Sequence, residues 1–407
     1  MSESGEDMGL TSGLFLDAVI AAVIALPFAT VLLWGRLRGP RVLRHTQRLG
    51  LIGLCQAGAV LLAALLINNS FQLYTSWSDL FGDNGPVGQI QAGKPVAPVV
   101  AANRAFDGGH VLRLLPNADL FRADPGLPGE LHAVITGRDS GVTGEVIVWL
   151  PPEYTQKSYA TTDFPVIQLF SGYPGSAGSW FRGLDAVANL EAAVQRHSAR
   201  PAILVSAAIN VDGSHNADCS DIPGGPKVAT WLAKDVHDLV DSSFRTVTDR
   251  SGWGLMGYSE GGLCASKLLL QYPDRFAAAV SMSGDDHPGG DLLKPGTAGY
   301  NANSPLWLLQ HGRAPKVSLL LTGTLQDGST AAEANAMGAA AKAPTVVQRL
   351  IAARGGHNVG VWKALEPQAF GWLSTHLDDR PTSAVPAVPN LARVTGVGGA
   401  AGAWASG

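Results

Sequence analysis

The sequence Gly-Tyr-Ser-Glu-Gly at 257–261 constrains the fold of this chain more than any other feature. It follows residues 252–256, which are typical of the end of a buried strand, and precedes residues 262–270, whose apolar side chains recur at helical spacing. A serine on a tight strand-to-helix turn needs small residues two positions before and after it, so that the backbone can fold back and expose Oγ. The pattern therefore predicts that Ser259 is a nucleophile between a strand and a helix.

Two later segments supply the base and the acid that such a serine needs. The apolar run 316–322 is typical of a buried parallel strand and leads into a loop that carries Asp327. The next such run, 345–352, ends in a glycine-rich loop that carries His357. The chain order serine, acid, histidine predicts a triad in which His357 accepts the Ser259 proton and Asp327 orients the imidazole.

The acid has a second candidate position. Asp285 and Asp286 follow the strand-like run 276–280, although a loop aspartate is most often a turn former. Either loop would place a carboxylate after a strand, where a triad acid is expected. The residues alone leave both positions open.

An oxyanion hole requires backbone N–H groups near the nucleophile. The strand-like run 164–170 leads into a loop at 171–176, where Pro174 has no N–H and Tyr173 is the candidate donor. Glu260, directly after the serine, is the candidate for the second donor. Trp180 and Trp362 are candidates for lining an acyl or sugar pocket, but buried tryptophans usually belong to the core, and both roles stay open.

Four motifs resemble an esterase family that includes the S-formylglutathione hydrolases and the bacterial mycolyltransferases. They are FSGYPGS at 170–176, GYSEGG at 257–262, TGTLQDG at 322–328 and GGHNVGVW at 355–362. The resemblance spans about residues 130–377 and implies an α/β-hydrolase fold, in which helices cover both faces of a mostly parallel sheet. It also implies a Ser-acid-His triad without a cofactor, and it favours Asp327 as the acid.

The sequence departs from the mycolyltransferase pattern at one position. Those enzymes tend to have His-x-Trp-x-x-Trp around the histidine, and here Val359 stands where the first tryptophan would be. This difference argues against the transfer of long mycolic acyl chains to a sugar, but it leaves ester chemistry in place.

Two apolar segments near the N-terminus, at about 18–35 and 49–67, predict transmembrane helices, since each is long enough to cross a bilayer core of about 30 Å. Five arginines lie between them, whereas the N-terminal tail is acidic; they are Arg36, Arg38, Arg41, Arg44 and Arg48. The positive-inside rule therefore places residues 36–48 in the cytoplasm and both chain ends outside a bacterial membrane. A signal peptide would instead carry its basic residues in front of the first segment.

Composition divides the rest of the chain. We expect a membrane anchor at 1–68, a linker and N-terminal extension at 69–129, a catalytic domain at 130–379 and a disordered tail at 380–407. A net charge of −4 with 15% charged residues argues against a basic nucleic-acid binder. No phosphate-loop, His-Glu-x-x-His or Cys-x-x-Cys motif occurs, so we expect neither a cofactor nor a metal.

Cys219 and Cys264 are the two cysteines of the predicted exported part, because Cys55 lies in the second apolar segment. Cys264 lies on the predicted nucleophile helix, and Cys219 follows the strand-like run 202–209, which should end at the same sheet edge. Two buried free thiols are the alternative. An oxidising compartment would let the two cysteines form a disulfide.

The sequence as a whole predicts a membrane-anchored, extracytoplasmic serine esterase that acts on a small-molecule or lipid ester. Acyl transfer to a sugar hydroxyl is an alternative, because it uses the same acyl-enzyme and differs only in the acceptor. A non-catalytic cell-surface binding module is a third hypothesis. The presence of Ser259, Asp327 and His357 argues against it, since a degenerate enzyme would be expected to have lost one of them.

Overall fold

In the computed structural model of the chain, residues 10–71, 73–81, 117–123, 129–211, 213 and 215–381 are described. Two long helices, α1 (Gly13–Trp34) and α2 (Arg41–Phe71), pack against each other and precede a domain of strands and helices. Both are long and apolar enough to cross a membrane, and only 6% of the residues in each apolar window are buried inside the protein. They are therefore candidate membrane spans.

The second helix begins earlier than its apolar segment predicts. The basic residues at 41–48 form the first two turns of α2 and not a loop, because arginine is a good helix former. With 31 residues, α2 is about 46 Å long, which exceeds a bilayer core of about 30 Å. Its basic end extends beyond its apolar part.

Among the described residues, nine strands form one mixed sheet in the order β1-β2-β3-β6-β5-β7-β8-β9-β10. The first three pairings are antiparallel and the other five are parallel. The strands are β1 (Arg122–Ala123), β2 (Glu130–Thr136), β3 (Thr143–Trp149), β5 (Val166–Phe170), β6 (Ile203–Ala207), β7 (Trp253–Tyr258), β8 (Ala278–Met282), β9 (Ser318–Thr324) and β10 (Val346–Ala352). A separate pair joins β4 (Thr162–Asp163) to β11 (Arg380–Pro381).

Helices cover both faces of this sheet. They are α3 (Trp77–Leu80), α4 (Ser179–Arg182), α5 (Ala186–Gln195), α6 (Val228–Thr230), α7 (His237–Ser243), α8 (Glu260–Gln271), α9 (Ala298–Ala302), α10 (Pro305–His311), α11 (Thr330–Ala340) and α12 (Val359–His376). A π-helical stretch (Trp231–Val236) joins α6 to α7. One apolar core includes Leu268 of α8 and Met337 of α11, and the other includes Leu190 of α5 and Leu365 of α12. Because β5 to β8 are buried along their whole length, as in a sheet covered on both faces, the predicted α/β-hydrolase architecture is confirmed.

Parts of the predicted linker and tail belong to the folded domain. In the range 69–129, α3 contributes one helical turn and β1 pairs with β2, whereas residues 82–116 and 124–128 lie outside the described residues. At the other end, Arg380–Pro381 pairs with β4, which corrects the predicted start of the tail. The remainder of that predicted tail, 382–407, lies outside the described residues.

Candidate active site

Ser259 lies on a sharp turn between β7 and α8. Its backbone has φ 55° and ψ −127°, a conformation that L-residues rarely adopt. A Cβ at Gly257 would lie 1.9 Å from the Gly261 carbonyl oxygen, and a Cβ at Gly261 would lie 2.1 Å from that of Phe170. Glycine is thus required at both positions, which is the physical reason for the motif.

The turn brings Ser259 to the histidine and the acid that follow β10 and β9. His357 Nε2 lies 2.8 Å from Ser259 Oγ. His357 Nδ1 lies 2.9 Å from Asp327 Oδ1 and 3.2 Å from Asp327 Oδ2. These distances link a hydroxyl, an imidazole and a carboxylate in one hydrogen-bonded series, which is the geometry of an activated serine nucleophile.

The other acid candidates have different surroundings. Asp286 Oδ1 is hydrogen-bonded to Nδ1 of the adjacent His287, and the Asp286 N–H donates to Glu333. Asp285 lines the same cleft as Ser259, and burial raises the pKa of its carboxyl to about 6. Of the three aspartates, Asp327 is the one hydrogen-bonded to His357.

Both candidate oxyanion donors lie beside the nucleophile. Glu260 is the first residue of α8, so its N–H has no acceptor within the helix and lies at the positive end of the helix dipole. Tyr173 follows Gly172, where an added Cβ would be 3.0 Å from the Ser259 Cβ. Tyr173, Glu260 and Ser259 line one cleft.

The side chain of Glu260 is buried next to the nucleophile. Burial raises the pKa of its carboxyl to about 8; the nearby Asp218 acts in the same direction and Lys267 opposes it. The Lys267 amine is itself fully buried, which lowers its pKa to about 7, and it donates hydrogen bonds to Ser220 Oγ and Asn303 Oδ1. Near neutral pH the Glu260 carboxyl is therefore mostly protonated.

The cleft has a volume of about 510 Å³, and Trp362 forms part of its wall. The Trp362 ring lies 5.0 Å from the His357 ring, edge to face, and 4.5 Å from the Tyr258 ring. Trp180 is fully buried and packs against Tyr258, with 5.3 Å between ring centroids. The structure thus brings Trp362 to the cleft and leaves Trp180 in the core.

The predicted disulfide between Cys219 and Cys264 is present and joins the loop after β6 to α8. Two clusters of potential metal ligands occur among the described residues. In one, the sulfurs of this disulfide lie beside Glu260. The other consists of Asp286, His287 and Glu333; the Asp286 carboxylate is hydrogen-bonded to His287, and the Asp286 N–H donates to Glu333. Neither cluster includes Ser259, His357 or Asp327.

Residues that the sequence analysis did not single out complete the site. Leu73 and Tyr74, from the predicted linker, line the cleft. Asp79, 4% exposed, accepts hydrogen bonds at 3.0 Å from the Gly356 N–H and from Asn358 Nδ2, on either side of His357. No local motif marks Asp79, since its partners are 277 and 279 residues away along the chain.

Comparison with known proteins identifies the family. The model of the Esterase family, described as "Putative esterase", matches residues 141–364, a range that includes Ser259, Asp327 and His357. An uncharacterized protein of Corynebacterium glutamicum is 28% identical over 148 residues, which make up 35% of this chain and 33% of that protein. The match therefore spans about a third of this relative's length.

Two solved structures have a similar fold. An S-formylglutathione hydrolase from Agrobacterium tumefaciens is 14% identical with a TM-score of 0.52, and the match covers 63% of this chain and 99% of that one. A ferulic acid esterase is 17% identical with a TM-score of 0.51, with 61% and 97% covered. Because the family model matches more than half of its residues, the chain belongs to this esterase family.

Proposed function

We propose that the protein is a membrane-anchored, extracytoplasmic esterase that hydrolyses carboxylic esters with Ser259, His357 and Asp327 as its triad. The observation that carries the proposal is the series of hydrogen-bond distances from Ser259 Oγ through the His357 ring to Asp327. The order of the three residues along the chain and the strained turn at Ser259 also support it.

In the acylation step, Ser259 Oγ attacks the ester carbonyl carbon while His357 Nε2 accepts the serine proton. The carboxylate of Asp327 holds His357 Nδ1–H and stabilises the imidazolium. The N–H groups of Tyr173 and Glu260 donate to the oxyanion. Collapse of the tetrahedral intermediate breaks the bond to the alcohol oxygen, which leaves with the proton from His357 Nε2.

In the deacylation step, water replaces the alcohol. The water oxygen attacks the carbonyl carbon of the acyl-enzyme while His357 Nε2 accepts a proton from that water. When the bond to Ser259 Oγ breaks, His357 Nε2 returns a proton to Ser259 Oγ. The products are a carboxylic acid, an alcohol and the free enzyme. An alcohol in place of water would give acyl transfer by the same steps.

For the location we propose that α1 and α2 anchor the chain, with residues 130–379 as the catalytic domain on the outer side. Support comes from the length and apolar surface of both helices and from the arginines between their apolar parts. The disulfide between Cys219 and Cys264 agrees with an oxidising compartment.

Replacement of the nucleophile tests the activity. Purified full-length protein and its Ser259→Ala variant are assayed with p-nitrophenyl esters of increasing chain length, with and without sugar acceptors. We expect Ser259→Ala to lower kcat by at least about three orders of magnitude and to prevent labelling by a fluorophosphonate, with an unchanged melting temperature. Undiminished turnover in Ser259→Ala would refute the proposal.

The acid is tested by a matched pair of aspartates. Asp327→Asn should lower kcat by about three to four orders of magnitude, because the amide stabilises the wrong tautomer of His357. Asp286→Asn should change kcat by less than about threefold, since Asp286 contacts His287 and not His357. The reverse ranking would assign the acid to the 285–286 loop.

A further inference from the structure

Residues 73–81, which we call the docking segment, are attached to the ends of the two apolar helices. Asn68 of α2 accepts the Tyr74 N–H with Oδ1 and donates through Nδ2 to the Tyr74 carbonyl, both at 2.9 Å. The ring of Trp77 packs edge to face against Phe15 of α1, with 5.6 Å between centroids. The docking segment is therefore held to the start of α1 and to the end of α2.

The same segment is hydrogen-bonded to two loops of the candidate active site. Asn358, the residue directly after His357, donates through Nδ2 to the Leu73 carbonyl at 2.7 Å and to Asp79 Oδ1 at 3.0 Å. Thr75 Oγ1 donates at 3.1 Å to Oε1 of Gln326, the residue directly before Asp327. The cleft consequently lies next to the helix ends.

The distance along the chain limits how far the cleft can lie from a bilayer that the helices cross. The candidate spans include Gly13 at the start of the first and Asn69 at the end of the second. Leu73, in the cleft wall, is four residues after Asn69, and a fully extended chain of that length reaches at most about 14 Å. A membrane interface at Asn69 would place part of the cleft wall within that distance.

Exposed apolar side chains are concentrated around this part of the domain. Outside α1 and α2, eight large hydrophobic side chains are exposed among the described residues, and five of them belong to the docking segment or to loops with candidate site residues. A sixth, Val359, is the first residue of α12 and lies two residues after His357. The most exposed of them is Phe81, at 82%. We call five of them the apolar rim: Leu80, Phe81, Tyr173, Leu325 and Val359. Exposed apolar groups in one region mark a surface that binds another apolar phase.

The cleft itself combines apolar and acidic walls. Leu73 and Tyr74 contribute the wall nearest the helices, whereas Asp218, Glu260 and Asp285 contribute carboxyl groups. Within the described part of the chain, Oε2 of Glu260 is buried without a hydrogen-bond partner. A bound hydroxyl group, which can both donate and accept a hydrogen bond, would satisfy it in either protonation state.

We propose that the apolar rim lies in the interface of the lipid bilayer and that the substrate is an amphiphilic ester taken from that membrane. Its acyl chain would enter along Leu73 and Tyr74, and its donor-bearing polar head would face the carboxyl groups of the cleft. This inference rests on the proposed function, because it requires both the anchor and the esterase activity. The partner surface is the bilayer that α1 and α2 cross.

A kinetic test compares two esters in the same proteoliposomes of full-length protein, water-soluble p-nitrophenyl acetate and vesicle-borne p-nitrophenyl palmitate. In Phe81→Asp we expect kcat/KM for the palmitate to fall on the order of tenfold, because a charge is disfavoured at an apolar interface. The acetate should be hydrolysed within about twofold of the wild-type rate, since it reaches the cleft from water. Equal effects on both esters, or no effect on either, would overturn the proposal.

The matched control is Val134→Asp on β2, an apolar position with a similarly high exposure of 73% that lies outside the apolar rim. It should leave kcat/KM for both esters unchanged. A selective loss on the palmitate in this variant would also contradict the proposal, because it would show that any added surface charge has that effect.

A spectroscopic test does not depend on catalysis. A nitroxide is attached to Phe81→Cys or to Val134→Cys, each in a Cys55→Ser background, and collisions with oxygen and with a water-soluble nickel chelate are measured. We expect oxygen collisions to dominate at 81 and nickel collisions at 134. Nickel-dominated collisions at 81 would overturn the membrane contact even if the esterase activity holds, and oxygen-dominated collisions would support it even if both esters prove inert.

Discussion

At the scale of single residues, Glu260 combines two properties that bear on the oxyanion. Its N–H lies at the start of α8 beside Ser259, and burial raises the pKa of its carboxyl to about 8. While the carboxyl is protonated, it adds no negative charge next to a developing oxyanion. Once it ionises, the carboxylate repels that charge across a short distance in a poorly solvated site.

This arrangement predicts an alkaline limit to activity. Above pH about 8 the wild-type kcat/KM should fall as Glu260 loses its proton, and Glu260→Gln should keep its rate at higher pH. The measurement is kcat/KM for a short-chain ester between about pH 6 and 10. A decline of equal size and midpoint in Glu260→Gln would exclude Glu260 as its cause.

Glu366 on α12 is the matched control, because burial also raises the pKa of its carboxyl to about 8 and its partner is Asn189. An acid whose pKa rises on folding stabilises the protein most below its unfolded pKa of 4.5, and that stability declines as pH rises toward 8. Glu366→Gln should therefore gain free energy of unfolding relative to wild type between those pH values, by up to about 1.4 kcal/mol per pH unit. Its pH–rate profile should match that of the wild type.

At the scale of elements, the docking segment supports the loop that carries His357. Asp79 accepts hydrogen bonds from the Gly356 N–H and the Asn358 side chain, and also from the Thr75 N–H at 2.9 Å. A buried carboxylate with several donors holds a loop in one position, because each donor would be left without an acceptor if the loop moved. The segment after the apolar helices thus belongs to the support of the candidate triad.

Asp79→Asn tests this support. The amide presents a donor where acceptors are needed, so the His357 loop should shift relative to Ser259. We expect kcat to fall by about ten- to a hundredfold with little change in KM, because a displaced base slows the chemical step more than binding. Kinetics and a melting curve are measured on the same preparation.

The control for Asp79→Asn is Asp274→Asn, an exposed aspartate beyond the end of α8. It should change neither kcat nor the melting temperature. If Asp79→Asn folds and retains the wild-type kcat, then Asp79 does not position His357.

At the scale of the whole molecule, the distribution of arginines predicts the orientation of the chain in the membrane. A single cysteine introduced at Lys157, on the exposed surface of the domain, should react on intact cells with a membrane-impermeant thiol reagent. A single cysteine at Thr46, in the basic first turns of α2, should react only after the cells are opened. Both variants carry Cys55→Ser, so that the introduced residue is the reactive thiol.

The opposite pattern would invert the proposed orientation. Labelling at Thr46 and not at Lys157 on intact cells would place the domain in the cytoplasm. A reducing compartment would then disfavour the disulfide between Cys219 and Cys264. Labelling of both positions on intact cells would contradict a membrane crossing between them.

Local sequence determined the elements of this protein, because their signals lie within a few residues of one another. The glycines at 257 and 261 predicted the turn at Ser259, since the steric limits they relieve arise from the adjacent backbone. Apolar runs predicted β7, β9 and β10 within about two residues. The strands β7 and β9 are almost entirely buried, which leaves few polar positions, whereas β10 at the sheet edge includes Gln348 and Arg349. The same reasoning found the two apolar helices and the order of Ser259, Asp327 and His357.

Only the tertiary structure decided which of these residues meet. It brought Asp327 rather than Asp286 to His357, kept Trp180 in the core and placed Asp79 beside a loop 277 residues away. Such contacts depend on strand order and on the packing of distant segments, which no local pattern of residues records. The contact between the docking segment and the His357 loop is of this kind, because it forms only when two segments that lie far apart along the chain pack together.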